Sequence, residues 1–110
     1  MIPQRGEVWQ VDLGYKGKIR PVLIVSRDDA AAPRILTTFV NITTQNRGSQ
    51  YEVPLPHLNF LNDGSTVNTQ GFGSGESKDK TLFLKRMGIL QPDVMAQIER
   101  ALRFALGMAD

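Results

Sequence analysis

The strongest constraint on this chain is a change of period close to Gln91. Before it, apolar residues come in short runs or alternate one by one; after it they recur every three or four positions. In "QPDVMAQIERALRFALG", Val94, Met95, Ile98, Ala101, Leu102, Ala105 and Leu106 fall on one stripe, with Gln97, Arg100 and Arg103 largely off it. That is the pattern of an amphipathic helix laid against a core. Pro92 suits the first helical position, where its missing N–H is no loss, Asp93 complements the positive helix start, and Gly107 is a good terminator.

The segments before the helix read as strands. "EVWQVDL" alternates, with Trp9, Val11 and Leu13 on one face and Val8, Gln10 and Asp12 on the other, the period of a half-buried strand. "VLIV", Val22 to Val25, is an unbroken β-branched and aliphatic run suited to burial on both faces. Between them, Gly14 and Gly17 mark a turn. "ILTTFVNITT" places Leu36, Val40 and Ile42 on one face and Phe39, Asn41 and Thr43 on the other. "YEVPLP" is a fourth strand that Pro54 ends or pushes to an edge. A brief fifth, Ser65 to Asn68, is expected to run into a mobile glycine-rich loop, "QGFGSGESKDK", and "LKRMGIL" forms a last short strand. Five or six short strands and one helix predict an α+β fold: a mostly antiparallel sheet closing into a small barrel, as a single domain over residues 1–110.

Composition narrows the function classes. The chain of 110 residues is 41% hydrophobic and 22% charged, as in a globular domain with one core. Net charge is only +2, yet eight of its thirteen basic residues are arginines and the pI is about 9.2, a tilt toward polyanions or an acidic partner. No apolar stretch is long enough to span a bilayer, and "MIPQRGEVW" lacks a signal-peptide core, so a cytoplasmic protein with no membrane association is expected. With no cysteine, disulfides and thiolate sites are excluded. No carboxylate pair or histidine cluster has metal-ligand spacing, so neither a metal nor another cofactor is expected.

Arg20 is the residue that asks for a function. It precedes Pro21, which has a fixed φ and no N–H and therefore belongs at the first residue of a strand. If the second and third strands form a hairpin, Arg20 faces a position near Ile42 and Thr43. Thr43 alternates onto the Asn41 face, which leaves its hydroxyl available. An arginine fork beside a hydroxyl is a sensible phosphate site, because the guanidinium donates two parallel hydrogen bonds and stays charged.

"RGEVWQVDL", "RPVLIVS", "ITTQNRGSQYEVPLP" and "LKRMGILQPDVMAQIERALRFALG" resemble, in that order, the MazF/PemK family of toxins from type II toxin–antitoxin systems. The resemblance implies an SH3-like barrel with a C-terminal helix. It also implies a homodimeric, metal-independent endoribonuclease cutting single-stranded RNA, mRNA among it, and neutralised by a partly disordered, acidic antitoxin. By the same resemblance, the family's catalytic arginine matches Arg20 and its catalytic threonine matches Thr43. Relatives often carry an acid in a longer first loop, where this chain has "GYKGKI", and an Asp-Gln-hydrophobic-Arg/Lys stretch on the fifth strand, where it has "NTQGF" and only Gln70 matches.

For RNA contact, Tyr15 and Phe72 are stacking candidates because both are expected in glycine-containing loops. Lys16, Lys18 and Arg47 offer positive charge, and Thr44, Gln45 and Gln70 complete the expected RNA-binding set. His57, the one histidine, reads as a surface or packing residue, and Trp9 as core. "GFGSGES" lacks the Lys-Ser/Thr ending of a phosphate-cradling loop. Two other classes stay open at this point: a CcdB-like toxin that binds a protein target such as DNA gyrase, and a non-catalytic binding barrel.

Overall fold

The structure, a computed structural model, describes residues 1–14 and 18–108. It consists of β1 (Glu7–Asp12), β2 (Ile19–Ile24), β3 (Leu36–Thr43), β4 (Glu52–Pro54), β5 (Thr66–Glu76), β6 (Phe83–Ile89) and one helix, α1 (Pro92–Ala105). The strands form one six-stranded sheet in the order β4-β5-β3-β2-β1-β6, antiparallel at every pairing. The α+β class and the C-terminal helix are as expected. Among the described residues no ladder joins the edge strands β4 and β6, so the sheet does not close into a hydrogen-bonded barrel.

It nevertheless curls strongly. β3 and β6 are separated by β2 and β1, which in a flat sheet would set them about 14 Å apart. Yet the rings of Phe39 on β3 and Phe83 on β6 meet edge to face at 5.9 Å, and Trp9 joins Phe83 at 6.4 Å. The concave face thus has an aromatic core of its own, with Val11, Val22 and Ile24 completing it. On the opposite face the cross-strand row Val8, Leu23 and Val40 packs with Ile42, Val53 and Val67 under Val94, Ile98 and Ala101 of α1. The central strands therefore bury both faces, which is why β2 is a continuous apolar run. Ile98 is fully buried; truncating such a side chain to alanine costs about 2–5 kcal/mol.

α1 starts as its sequence indicates, with Pro in its first turn and Asp93 beside it, and ends just before Gly107, whose φ of 70° is the left-handed conformation glycine adopts cheaply.

The glycine-rich segment departs from expectation. It is not a loop: β5 runs unbroken through "QGFGSG" to Glu76. Its glycines alternate because three neighbours occupy the space their side chains would need. A Cβ on Gly71 would lie 2.6 Å from the Asn41 amide nitrogen, one on Gly73 2.4 Å from the Phe39 ring, and one on Gly75 2.3 Å from Leu82. Close approach of larger groups, not chain freedom, explains these glycines.

The "RGEVW" block forms a bonded corner. The Arg5 guanidinium donates to the Val25 carbonyl and, at 2.7 Å, to Glu99 on α1. The Glu7 carboxylate accepts from the Gln4 amide at 2.8 Å, the Trp9 indole at 3.0 Å and Arg86 on β6 at 2.5 Å. Burial tends to raise the Glu7 pKa, but the bonds from Trp9, Arg86 and Gln4 outweigh it and hold the carboxyl below its ordinary value.

Candidate functional site

Pro21 creates the opening on which the site is built. It is the third residue of β2 rather than the first, and it pairs with Gln10 of β1, whereas pairing with β3 begins only at Val22, opposite Asn41. The missing N–H is tolerated because no β3 ladder exists at that point. Beyond Val22 the two strands part. Extending their register sets Arg20 across from Thr43, one of the two positions that the hairpin reading expected it to face.

An open groove of about 1000 Å³ lies at this rim. Arg20, Thr43, Thr44, Gln45, Arg47 and Gln70, six of the ten expected site residues, line it. Lys18 and Phe72 are exposed but do not line it. Phe72 stands on strand β5, opposite Val40, rather than in a loop. Tyr15 and Lys16 lie outside the described residues.

Arg20 is exposed, and among the described residues no ion pair engages its guanidinium. Anchored on a strand, it presents a permanent positive charge to the groove. The Thr43 oxygen accepts the Gln45 backbone N–H at 3.1 Å, which fixes the oxygen and turns the chain out of β3 while leaving its O–H free to donate.

The segment after Thr43 is held by its own side chains. Asn46 caps the Gly48 N–H at 2.8 Å. Glu52 accepts the Arg47 N–H at 3.0 Å, the Ser49 N–H at 3.1 Å and the Ser49 hydroxyl at 2.7 Å. The Arg47 backbone bond, then those from Ser49, keep the Glu52 carboxyl below its usual pKa. It is the one carboxylate lining the groove among the described residues, and these donors tie it to the loop that carries Arg47.

Sequence reasoning missed Glu52, Gln10, Asn41, Tyr51 and Asn68, all of which line the groove. Asn41 was detectable, since it alternates onto the Thr43 face. Asn68 was not, because a β-bulge decides its position: Asn41 pairs with Asn68, but Val40 pairs with Phe72, so Thr69 to Gly71 are extra residues on β5. His57 pairs with Asp63 at 2.7 Å on the surface, and Trp9 is core, 5% exposed. Among the described residues no group of three or more His, Cys, Asp or Glu side chains could hold a metal ion, and no helix is long and apolar enough to cross a membrane.

A curled antiparallel sheet with one C-terminal helix, opening into a groove lined by a strand-borne arginine and a threonine, defines a small barrel-like protein. The family profile described as "PemK-like, MazF-like toxin of type II toxin-antitoxin system" matches residues 4–106. The chain belongs to this family. Among solved structures it is similar to an endoribonuclease in complex with its cognate antitoxin from Mycobacterial species, at 29% identity and a TM-score of 0.81 over 98% of both chains. It is also similar to the Mycobacterium tuberculosis toxin MazF-mt6, at 25% identity and 0.78, over 94% of this chain and 99% of the other. A MazE-MazF structure from Deinococcus radiodurans, at 21% identity and 0.78 over 99% of each chain, shares the fold. No curated protein matches the sequence.

Proposed function

We infer that this chain is a toxin acting as an endoribonuclease on single-stranded RNA, mRNA included, through Arg20 and Thr43 and without a metal ion. What carries the reading is the parting of β2 and β3 beyond Pro21, which brings Arg20 and Thr43 to one open rim of the groove. The 29% identical neighbour, an endoribonuclease held by its antitoxin, supports it.

In this reading the RNA 2′-oxygen attacks the adjacent phosphorus. The 2′-O–P bond forms, the P–5′-O bond breaks, and the products carry a 2′,3′-cyclic phosphate and a 5′-hydroxyl. Arg20 neutralises the phosphorane oxygens and donates a hydrogen bond toward the leaving oxygen; it does not act as a base, because a guanidinium keeps its protons. Thr43 donates its O–H to a phosphate oxygen. Glu52 is committed to Arg47 and Ser49, so the 2′-hydroxyl proton passes to water, and the departing 5′-oxygen takes its proton from water as Arg20 hydrogen-bonds to it. Arg47, Thr44, Gln45 and Gln70 contact the RNA on either side.

The functional unit is a homodimer of one-domain chains, residues 1–110, working in the cytoplasm. An acidic, partly disordered antitoxin segment orders over the groove near Arg20, Thr43 and Arg47 and excludes RNA. The test is to incubate the protein with a long single-stranded RNA in EDTA and map the ends. Cyclic-phosphate ends in chelator are expected. Cutting that returns only with added Mg²⁺ or Mn²⁺, or 3′-hydroxyl products, rejects the mechanism.

A further inference from the structure

The floor of the groove carries a second polar feature that phosphate chemistry does not use. Asn41 on β3 and Asn68 on β5 are cross-strand partners, half-buried, and both line the groove. They stand two residues along β3 from Thr43, about 7 Å. A group bound there lies beside a phosphate held at Arg20 and Thr43, not on it.

The bulge on β5 gives this pair its geometry. Thr69 is tied down twice to the Tyr51 carbonyl, by its N–H at 2.9 Å and its hydroxyl at 2.6 Å. The Asn68 side-chain oxygen accepts the Gln70 N–H at 3.0 Å. That bond engages the acceptor end of Asn68 and orients its amide N–H groups away from Gln70. Asn41 lies against Gly71, where any Cβ would stand 2.6 Å from its amide nitrogen. Among the described residues no buried side-chain polar atom lacks a partner, and no hydrogen bond occupies the Asn41 amide, so that amide reaches open groove. One neighbour therefore presents its donor end foremost, and the other a donor and an acceptor side by side.

We propose that Asn41 and Asn68, set by the Thr69–Gly71 bulge, are the base-reading subsite for the nucleotide next to the cleaved phosphate. The ligand is the hydrogen-bonding edge of one RNA base, with a donor–acceptor pair for Asn41 and an acceptor for Asn68. Carboxamides suit such an edge because a single planar amide can both donate and accept. The subsite rests on the ribonuclease reading but makes a separate claim, that these side chains choose the site of cutting rather than perform it.

The experiment maps cut sites across a long RNA of mixed sequence for the wild type, Asn41→Ala, Asn68→Ala and Gly71→Ala. Gly71→Ala keeps both amides and displaces Asn41. Each variant is first checked for its thermal transition, and Asn68→Ala supplies the answer should Asn41→Ala or Gly71→Ala fail to fold. The expected result is that wild-type preference at one nucleotide flanking the cut weakens at least about fivefold, so that the best and worst sites converge. A loss of rate common to all sites with an unchanged preference overturns the proposal, as does an unchanged profile. A wild-type protein that does not cut RNA overturns the ribonuclease reading and the subsite with it; a wild type that cuts selectively beside indifferent variants overturns the subsite alone.

Discussion

Arg5 and Arg20 sit at opposite ends of β2 and live in opposite surroundings. Arg5 is bound to the Val25 carbonyl and to Glu99 of the helix, beside a carboxylate, Glu7, that takes three further donors. Arg20 has no ion-pair partner among the described residues and faces a groove. Both belong to short motifs, "RGEVW" and "RPVLIVS", that look equally distinctive in the chain. A charged group whose bonding capacity is filled from within the fold is part of the architecture. One held on a rigid strand with that capacity unspent is available to a ligand.

Replacing Arg20 tests this contrast with the largest expected effect. Arg20→Ala should lower RNA cleavage at least about a hundredfold, as loss of a transition-state donor does. The fold should shift by no more than about 0.5 kcal/mol, because an exposed side chain with no ion pair among the described residues contributes little to stability. Arg20→Lys should recover only a small part, since a point charge does not reproduce the two-pronged guanidinium. Cleavage time courses beside thermal melts decide it. A large melting shift in Arg20→Ala would make the residue structural and erase the contrast.

The mirror experiment is Glu7→Ala. It strands the Trp9 indole and Arg86 together, so a loss of about 2–3 kcal/mol is expected, the scale of hydrogen bonds to a charged group. Cleavage per folded molecule should stay near that of the wild type. Urea denaturation gives the first quantity and initial rates below the transition give the second. A ribonuclease defect without loss of stability would move the "RGEVW" corner into the site.

These two regions also show what a sequence discloses. The helix, both faces of β2 and the convergence of Arg20 with Thr43 were readable, because each depends on local periodicity or on the pairing of chain neighbours. The path of β5 was not. Glycine content reads as looseness, whereas Gly71, Gly73 and Gly75 are strand residues that make room for Asn41, Phe39 and Leu82, groups from elsewhere in the chain. Asn68 escaped for the same reason, since its place depends on a bulge set by the partner strand. Glu52 looked like one more strand residue; only the folded loop brings Arg47 and Ser49 back onto its carboxylate.

A smaller effect should appear in the pH dependence of stability. The folded-state pKa of Glu7 is lowered, so its ionised form contributes fully above the unfolded carboxyl value of about 4.3, and the contribution disappears as pH falls through the lower folded value. Wild-type stability should therefore drop below about pH 4.3 more steeply than that of Glu7→Gln. Denaturation midpoints between neutral and acid pH read the difference. Parallel curves for the two proteins would mean that the corner holds no net preference for the charged form.

The smallest expected effect falls on the residue that belongs to both descriptions. Glu52 resembles Glu7 in that its carboxylate takes three donors from within the fold, here all from its own loop, and resembles Arg20 in that it lines the groove. If saturation marks architecture, Glu52 acts on RNA only by holding the backbone that carries Arg47. Glu52→Gln retains the shape and one acceptor oxygen, so the loop should loosen rather than collapse. The half-saturating RNA concentration should then rise about threefold to tenfold, the scale of one weakened hydrogen bond. The maximal rate and the thermal transition should hold. Because the donors lower the Glu52 pKa, the wild-type loop stays capped at neutral pH, and a carboxylate kept ionised in this way has little proton affinity to offer as a base. A fall in the maximal rate at saturating RNA, together with loss of the acidic limb of the pH–rate profile, would instead make Glu52 the group that takes the 2′-hydroxyl proton. Saturation by the loop's own donors would then no longer separate architecture from chemistry in this groove.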